Sequence, residues 1–227
     1  MMRASSSSAA AALASAVEAA ASTHLLALAA DTTRGQPIEE AAAAMEAAAD
    51  ARTGKRNARS GRLIGTWSLV YTNSRAVVGN TGLTGAGRMM LGARLNALRV
   101  CYDLGGAAWA EEQLSSLALL RVRNRLTGTW AVGPAKDGNT VEQTYAELET
   151  HPGGMKLRSD SKAVVDVTYL DDEWRIARAP QSRDLFVFRR EEGGAGPEGG
   201  AQQTTSEDEA AAGKARANRQ SRRMGKK

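Results

Sequence analysis

The chain has 227 residues, of which 42% are hydrophobic but only 4% aromatic, and 21 alanines in residues 1–51 supply much of the apolar fraction. The large side chains lie almost entirely between residues 60 and 190, which is enough chain for one domain with a single core. The net charge of +5 arises in residues 214–227, which carry seven basic and no acidic residues. The rest of the chain has 23 basic and 25 acidic residues, a net charge of −2, which excludes a generally basic folded body.

Residues 1–17, MMRASSSSAAAALASAV, contain no acidic residue, one arginine and five serines. This composition is typical of an organelle transit peptide, and the alternative is an ordinary disordered alanine-rich start. No stretch of the sequence approaches the roughly 18 consecutive apolar residues that a membrane-spanning helix needs. We therefore expect a transit-like leader and no integral membrane span.

Two helices are predicted before the main domain. Residues 16–30 place apolar side chains at helical spacing, and the polar DTTRG at 31–35 is expected to end that helix. A second helix is predicted to begin near Pro37, a favoured first-turn residue, and to run to about Arg52. With the polar linker that follows, residues 18–60 are predicted to form a helical hairpin or a loosely docked arm.

From Arg62 the apolar period changes to two, which predicts a strand with one buried face. That face carries Leu63, Gly65, Trp67, Leu69 and Tyr71. Glycines at 79–87 indicate a loop, and residues 88–104 fit either a helical turn or a strand.

A series of short strands follows. The segment 114–133 is a long strand candidate, and Asp-Gly at 137–138 supplies a hairpin turn before a return strand at 140–148. Three further strand segments fall within 155–190, separated by turn residues. This spacing predicts an antiparallel barrel or sandwich over residues 61–190. The glycine-rich, polar residues 191–227 are predicted to be disordered.

The side chains expected to point into the barrel are Trp67, Leu69, Tyr71, Val122, Trp130, Tyr145, Val165, Val167, Ile176 and Phe186.

The sequence offers no catalytic arrangement. A single cysteine excludes an intrachain disulfide, and two distant histidines, His24 and His151, cannot form a multi-histidine metal centre. Cys101 has no base placed near it by any motif, so we expect a buried thiol. The acidic run 171–173 is interpreted as a hairpin turn with ion pairs to Arg175 and Arg178. We therefore predict no enzyme, no metal and no cofactor.

Three segments in order resemble one known family. They are LLALAADTTRG at 25–35, LIGTWSLVYT at 63–72, and VTYLDDEWRIARA at 167–179 followed by LFVF at 185–188. Together they resemble the plastid lipid-associated proteins, also called fibrillins or plastoglobulins. Trp174 stands where that family usually has leucine, and Ala179 stands where it has glycine.

The resemblance implies a lipocalin-like β-barrel or half-barrel with N-terminal helices. It also implies residence in plastids, at plastoglobules, thylakoids or in the stroma. The implied role is non-enzymatic: binding or organising lipids and isoprenoids, with peripheral association to membranes or lipid droplets.

The predicted ligand site is the barrel interior, with Trp67, Leu69, Tyr71, Trp130, Tyr145 and Arg175 as its residues. Arg175 is the candidate polar anchor, through a charge-assisted contact with a ligand head group. A structural pair with Asp171 or Glu173 is the favoured alternative for that side chain.

Other functions stay open at this point. Side chains that fill the barrel would leave an interaction scaffold. The basic end, 214–227, suits an RNA- or ribosome-associated factor with strong salt dependence. An enzyme without a sequence motif is a further alternative.

Overall fold

A computed structural model gives the fold of most of the chain. The residues it describes are 3–20, 32–50, 57–117, 120–134 and 138–192. Most of the helix predicted over 16–30, the centre of the Asp-Gly hairpin turn and nearly all of the tail predicted to be disordered lie outside them.

The main domain is a closed antiparallel barrel of eight strands. Each strand pairs with the next along the chain, and β8 pairs with β1, so no sheet edge is left open. The prediction of an antiparallel barrel is confirmed. The strands are β1 (Gly65–Thr72), β2 (Arg94–Tyr102), β3 (Ala107–Ser115), β4 (Arg121–Val132), β5 (Thr140–His151), β6 (Met155–Leu170), β7 (Trp174–Arg178) and β8 (Leu185–Arg190).

Two strand boundaries differ from the sequence prediction. The ambiguous segment 88–104 begins with the last residues of a short 3₁₀ turn, Ala86–Met89, and continues into β2. The long strand predicted over 114–133 is wrong, because Leu114 and Ser115 finish β3 and β4 begins at Arg121. Strand β3 has small inward residues and adjacent glutamates, so its alternation is not visible as an apolar pattern.

The two ends of the barrel differ. At the end where β1 begins, which we call the closed end, residues 57–63 form two 3₁₀ turns that cross the barrel. Asn57 donates from Nδ2 to the Val167 carbonyl over 2.9 Å, and Ala58 and Leu63 are buried in the interior. The described part of the predicted polar linker, residues 57–61, is therefore part of the barrel. The opposite end, the open end, carries the connections at 73–93, 116–120, 152–154 and 179–184.

Two helices, α1 (Arg3–Ala20) and α2 (Thr32–Asp50), cover the outer face of β7, β8 and β1. Leu13 from the predicted leader is fully buried in this layer. Two carboxylates of α2 bind the barrel. Glu39 accepts from the Tyr71 hydroxyl over 2.6 Å, and Glu46 accepts from both Nε and Nη2 of Arg178 over 2.7 Å. The predicted arm is thus firmly docked on the barrel.

Helix α2 begins earlier than expected. It starts at Thr32, so the predicted break at 31–35 is wrong within the described residues. Gly35 does not end a helix; it lets the helix backbone approach the Tyr71 side chain closely. A Cβ atom at this position would lie 2.7 Å from the Tyr71 hydroxyl oxygen. The sequence pattern of a glycine before Pro37 cannot distinguish these two uses.

Two side chains predicted to point inward face the helices instead. Strand β1 has a bulge between Leu69 and Tyr71, so the alternation changes face and Tyr71 pairs with Val187 on the outside. Ile176 also pairs with Val187. Both faces of β7 are buried, one by the helices and one by the barrel interior, so apolar character does not indicate which face is inside.

The other eight residues on that list lie in the barrel interior or pack against it: Trp67, Leu69, Val122, Trp130, Tyr145, Val165, Val167 and Phe186.

Trp67 is the main side chain at the closed end and provides a stability test. It is fully buried, and its indole donates to the Leu63 carbonyl over 2.9 Å. We expect Trp67→Ala to lower the free energy of unfolding by about 3–5 kcal/mol in urea titrations followed by circular dichroism. Leu104 lies in a turn at the same end and is 88% exposed. Leu104→Ala should therefore change the free energy of unfolding by less than about 0.5 kcal/mol. Equal effects of the two substitutions would contradict the conclusion that Trp67, with residues 57–63, plugs this end of the barrel.

Candidate functional site

The barrel encloses a cavity of about 440 Å³ that opens at the open end. This volume lies within the range of small-molecule sites, which are mostly apolar with a few polar groups. The barrel is therefore not completely filled by its own side chains. The walls are mainly apolar, with Leu69, Leu98, Val100, Leu126, Phe186 and Phe188 contributing most of the large side chains.

The predicted site residues divide into three groups. Leu69, Tyr145 and Arg175 line the cavity. Trp67 and Trp130 pack in or against the interior core nearer the closed end and do not line it. Tyr71 lies outside the barrel under the helices, for the reason given above.

Arg175 is the charged residue deepest in the cavity. Arg175 pairs in register with Phe188, which pairs with Leu69, and these three residues line the cavity. The next pair toward the closed end, Trp67 and Arg190, does not line it. The residue is only 1% exposed. Its guanidinium carbon lies 4.6 Å from the centre of the Phe188 ring.

Tyr102 is the polar partner of Arg175. Arg175 donates from Nη2 to the Tyr102 hydroxyl oxygen over 2.9 Å, and its guanidinium carbon lies 4.9 Å from the ring centre. Trp130 supports the tyrosine in an edge-to-face contact at 5.4 Å between ring centres. Burial raises the pKa of the Tyr102 phenol, although the Arg175 charge opposes the rise. The phenol therefore keeps its proton at neutral pH while accepting from Arg175.

The favoured alternative for Arg175, an ion pair with Asp171 or Glu173, is wrong. The acidic run does form the predicted turn, in which Asp171 accepts from the backbone N–H of Trp174 over 2.6 Å. Glu173 pairs with Arg189 over 2.9 Å on the outer surface. Because Trp174 faces outward, alternation along β7 directs Arg175 inward.

Two guanidinium nitrogens of Arg175 lack partners. Among the described residues, Nε and Nη1 have no hydrogen-bond acceptor, and no carboxylate lies within 4.0 Å of the side chain. Burying a cation without a counter-charge is unfavourable unless something else compensates it. Contacts with two aromatic rings supply part of this compensation.

Glu112 organises the mouth of the cavity. This residue is 1% exposed and lies on β3. Its carboxylate accepts from the backbone N–H groups of Leu83 and Thr84 over 2.6 and 3.2 Å and from Asn124 Nδ2 over 2.8 Å. The Thr84 hydroxyl also donates to it. These bonds hold the β1–β2 connection, which includes helix α3 (Arg75–Asn80), against the barrel.

Neither Tyr102 nor Glu112 was identified from sequence patterns as a site residue. Glu112 stands beside Glu111, whose carboxylate faces Arg99 and Arg123 at 3.9 and 4.0 Å on the outer side. A glutamate pair in a strand must place one member on each face. That alternation is the signal by which Glu112 could be found, but the apolar pattern of residues 107–115 does not predict a strand.

Exposed apolar side chains lie on or beside three of the four connections at the open end. We call this set the apolar rim: Met89, Leu91, Leu117, Leu120, Met155 and Leu157, which are 47–87% exposed. The Leu117 backbone N–H donates to the Leu91 carbonyl over 3.3 Å, which joins two of the connections. Met89, Met155 and Leu157 line a common cleft. Such clusters mark interaction surfaces more often than scattered apolar residues do.

The charge near the rim is positive. The sequence contains no acidic residue between Asp50 and Asp103, nor from 113 to 136. Arg94 and Arg121 stand beside the rim on neighbouring strands, each paired in register with Ser115. Although the chain without its basic end is slightly acidic, this end of the barrel is locally cationic.

Other chemistry is limited in the described part of the chain. Cys101 is buried, faces away from the cavity, and has its thiol pKa raised by burial. No group of three His, Cys, Asp or Glu side chains there is arranged to hold a metal ion. None of its helices combines the length and apolar character needed to cross a membrane.

The chain matches no protein-family model and no curated protein sequence. The resemblance to plastid lipid-associated proteins therefore rests on its three sequence segments. Two of those segments contribute cavity residues, Leu69 and Arg175.

The Glu112 network gives a test of the mouth. Glu112→Ala leaves the N–H groups of Leu83 and Thr84 without their acceptor, so we expect a loss of about 2–4 kcal/mol in unfolding free energy. Amide hydrogen exchange at 82–85 should accelerate by at least tenfold. Glu111→Ala removes the neighbouring carboxylate on the outer face and serves as the matched control. Unchanged exchange at 82–85 in the Glu112 variant would show that the carboxylate does not hold this segment.

Proposed function

We propose that the chain is a non-enzymatic protein that binds one lipid or isoprenoid molecule inside its barrel. The observation that carries this proposal is the cavity of about 440 Å³, apolar along its walls, plugged at one end and open at the other. Eight-stranded barrels have interiors of a size that holds one small ligand.

We propose plastids as the location, at plastoglobules, thylakoids or in the stroma. This part of the proposal is supported by the sequence resemblance and by the acid-free residues 1–17. Leu13, within that leader, packs in the same buried cluster as Ile38 and Met45. Cleavage near residue 17 would remove Leu13 and uncover those two side chains. Sequencing the N-terminus of the protein purified from plastids shows directly whether residues 1–17 are removed.

The cavity can be tested by filling it. We expect native mass spectrometry to show a 1:1 complex after incubation with a total lipid extract of thylakoid membranes. Ala163 lines the cavity, so Ala163→Trp should abolish the complex by occupying the space of the ligand. Ala131 is exposed on the outer face of β4, and Ala131→Trp should retain binding. Failure of the wild-type protein to bind any apolar molecule would contradict the proposed function.

We further propose that the open end docks on a membrane surface. The apolar rim lies on or beside three of the four connections at the end where the cavity opens, so docking of this end on a bilayer would bring the cavity close to a source of lipid. Apolar side chains that enter the headgroup region, together with nearby cations, bind anionic membranes. Arg88, Arg94 and Arg121 supply such cations beside the rim.

The docking surface can be tested with vesicles of phosphatidylcholine with and without phosphatidylglycerol. Leu91→Glu combined with Leu117→Glu should reduce co-sedimentation by at least tenfold, because it places two carboxylates in the rim. Leu104→Glu adds a charge at the closed end on an equally exposed leucine and should bind normally. The basic residues of 214–227 add their own attraction, so all variants keep the full chain. Equal binding of the two leucine variants would exclude docking through the rim.

A further inference from the structure

We infer that the ligand is an apolar monocarboxylic acid whose carboxylate binds Arg175 and Tyr102 at the bottom of the cavity. This inference rests on the proposed lipid-binding function and specifies its substrate class: an acid with a long hydrocarbon or isoprenoid chain. Arg175 is 1% exposed, lines the cavity, and has Nε and Nη1 without acceptors among the described residues.

The donors at the bottom of the cavity match one carboxylate. Arg175 provides unpartnered N–H groups, and charge-assisted bonds from arginine to carboxylate are among the strongest in proteins. Tyr102 accepts from Arg175 and keeps its own proton, which is then available to a second carboxylate oxygen. The anion also supplies the counter-charge that the buried guanidinium lacks.

The count of charges distinguishes a carboxylate from other head groups. Arg175 and Lys162 are the cationic residues among those described that line the cavity, and Lys162 is exposed. One buried positive charge compensates one negative charge. A phosphate monoester carries about −1.5 to −2 charges at neutral pH, so it would bring an excess into an apolar site. A neutral alcohol or quinone would leave the guanidinium uncompensated.

The geometry also sets the direction of the ligand. Arg175 lies in the deepest layer of the cavity, and the walls between it and the mouth include Leu98, Leu126 and Val165. The head group is therefore innermost, and the hydrocarbon chain extends along the apolar walls toward the rim.

A purely structural role for Arg175 predicts a different response to substitution. If its ring contacts and its bond to Tyr102 were there for stability, Arg175→Met would lower the melting temperature. We expect the melting temperature of the ligand-free protein to stay equal or rise, because an unpaired buried charge is replaced by an apolar chain of similar length.

The test compares cis-parinaric acid with its methyl ester, which have the same fluorescent chain and differ in charge. We expect the wild-type protein to bind the acid at least tenfold more tightly than the ester, a factor that corresponds to about 1.4 kcal/mol. Arg175→Met should weaken the acid at least tenfold and leave the ester unchanged. Lys162→Met removes the other cationic residue that lines the cavity and, as the matched control, should keep the preference for the acid.

Tyr102→Phe provides a second variant that retains the ring and removes the hydroxyl. It should reduce the preference for the acid by a smaller factor than Arg175→Met while folding normally, so the inference stays testable if the arginine variant does not fold.

Three outcomes would overturn the inference. Equal binding of acid and ester by the wild-type protein would reject the carboxylate site and leave the proposed lipid-binding function intact. A preference for the acid that disappears in Lys162→Met but persists in Arg175→Met would place the head group at Lys162 instead of Arg175. Binding of neither probe, together with no complex in the lipid-extract experiment, would reject both the proposed function and this inference.

Discussion

The positive charge of Arg175 inside a closed barrel constrains the packing around it. Its guanidinium lies against the rings of Tyr102 and Phe188, and Trp130 holds Tyr102 in place by an edge-to-face contact. Trp67 fills the next layer toward the closed end. Four of the ten aromatic residues of the chain thus lie around this cation and in the neighbouring layer toward the closed end. Toward the open end the cavity walls are mainly apolar, and the interior stays open.

The helices are coupled to the cavity through the strands they share. Strands β7, β8 and β1 carry Arg175, Phe188 and Leu69 on the inside, and their outer faces are covered by α1 and α2. On that outer side the Glu46 carboxylate is bonded to the Arg178 guanidinium, three residues along β7 from Arg175. The arginine that has its counter-charge faces the helices, and the arginine without one faces the cavity. Docking of the N-terminal helices therefore fixes the strand that positions the site.

Sequence reasoning predicted the meander and most of its turns because alternation and turn residues are local signals. It failed where the face of a strand depends on something non-local. The bulge in β1 moves Tyr71 to the outside, and β7 is buried on both sides, so the sequence pattern predicts Ile176 inward. For Arg175 it favours an ion pair with Asp171 or Glu173 over the alternative role as a ligand anchor. Within the site, Leu69 and Tyr145 were predicted to line the interior, but Tyr102 and Glu112 were not. Their roles depend on partners 73 and 28–29 residues away in the chain.

Recognition in this cavity divides into two contributions of different kinds. Transferring a carboxylate from water into the barrel carries a desolvation penalty. Its bonds to one arginine and one phenol exceed that penalty by only a small margin. Burying the hydrocarbon chain contributes about 25 cal/mol per Å² of apolar surface, and this contribution grows with chain length. A short acid gains the first without the second, whereas a neutral lipid gains the second and leaves Arg175 unpaired. Under the proposed function, the arginine at the bottom of the cavity and the apolar walls would therefore favour long-chain acids by the sum of both contributions.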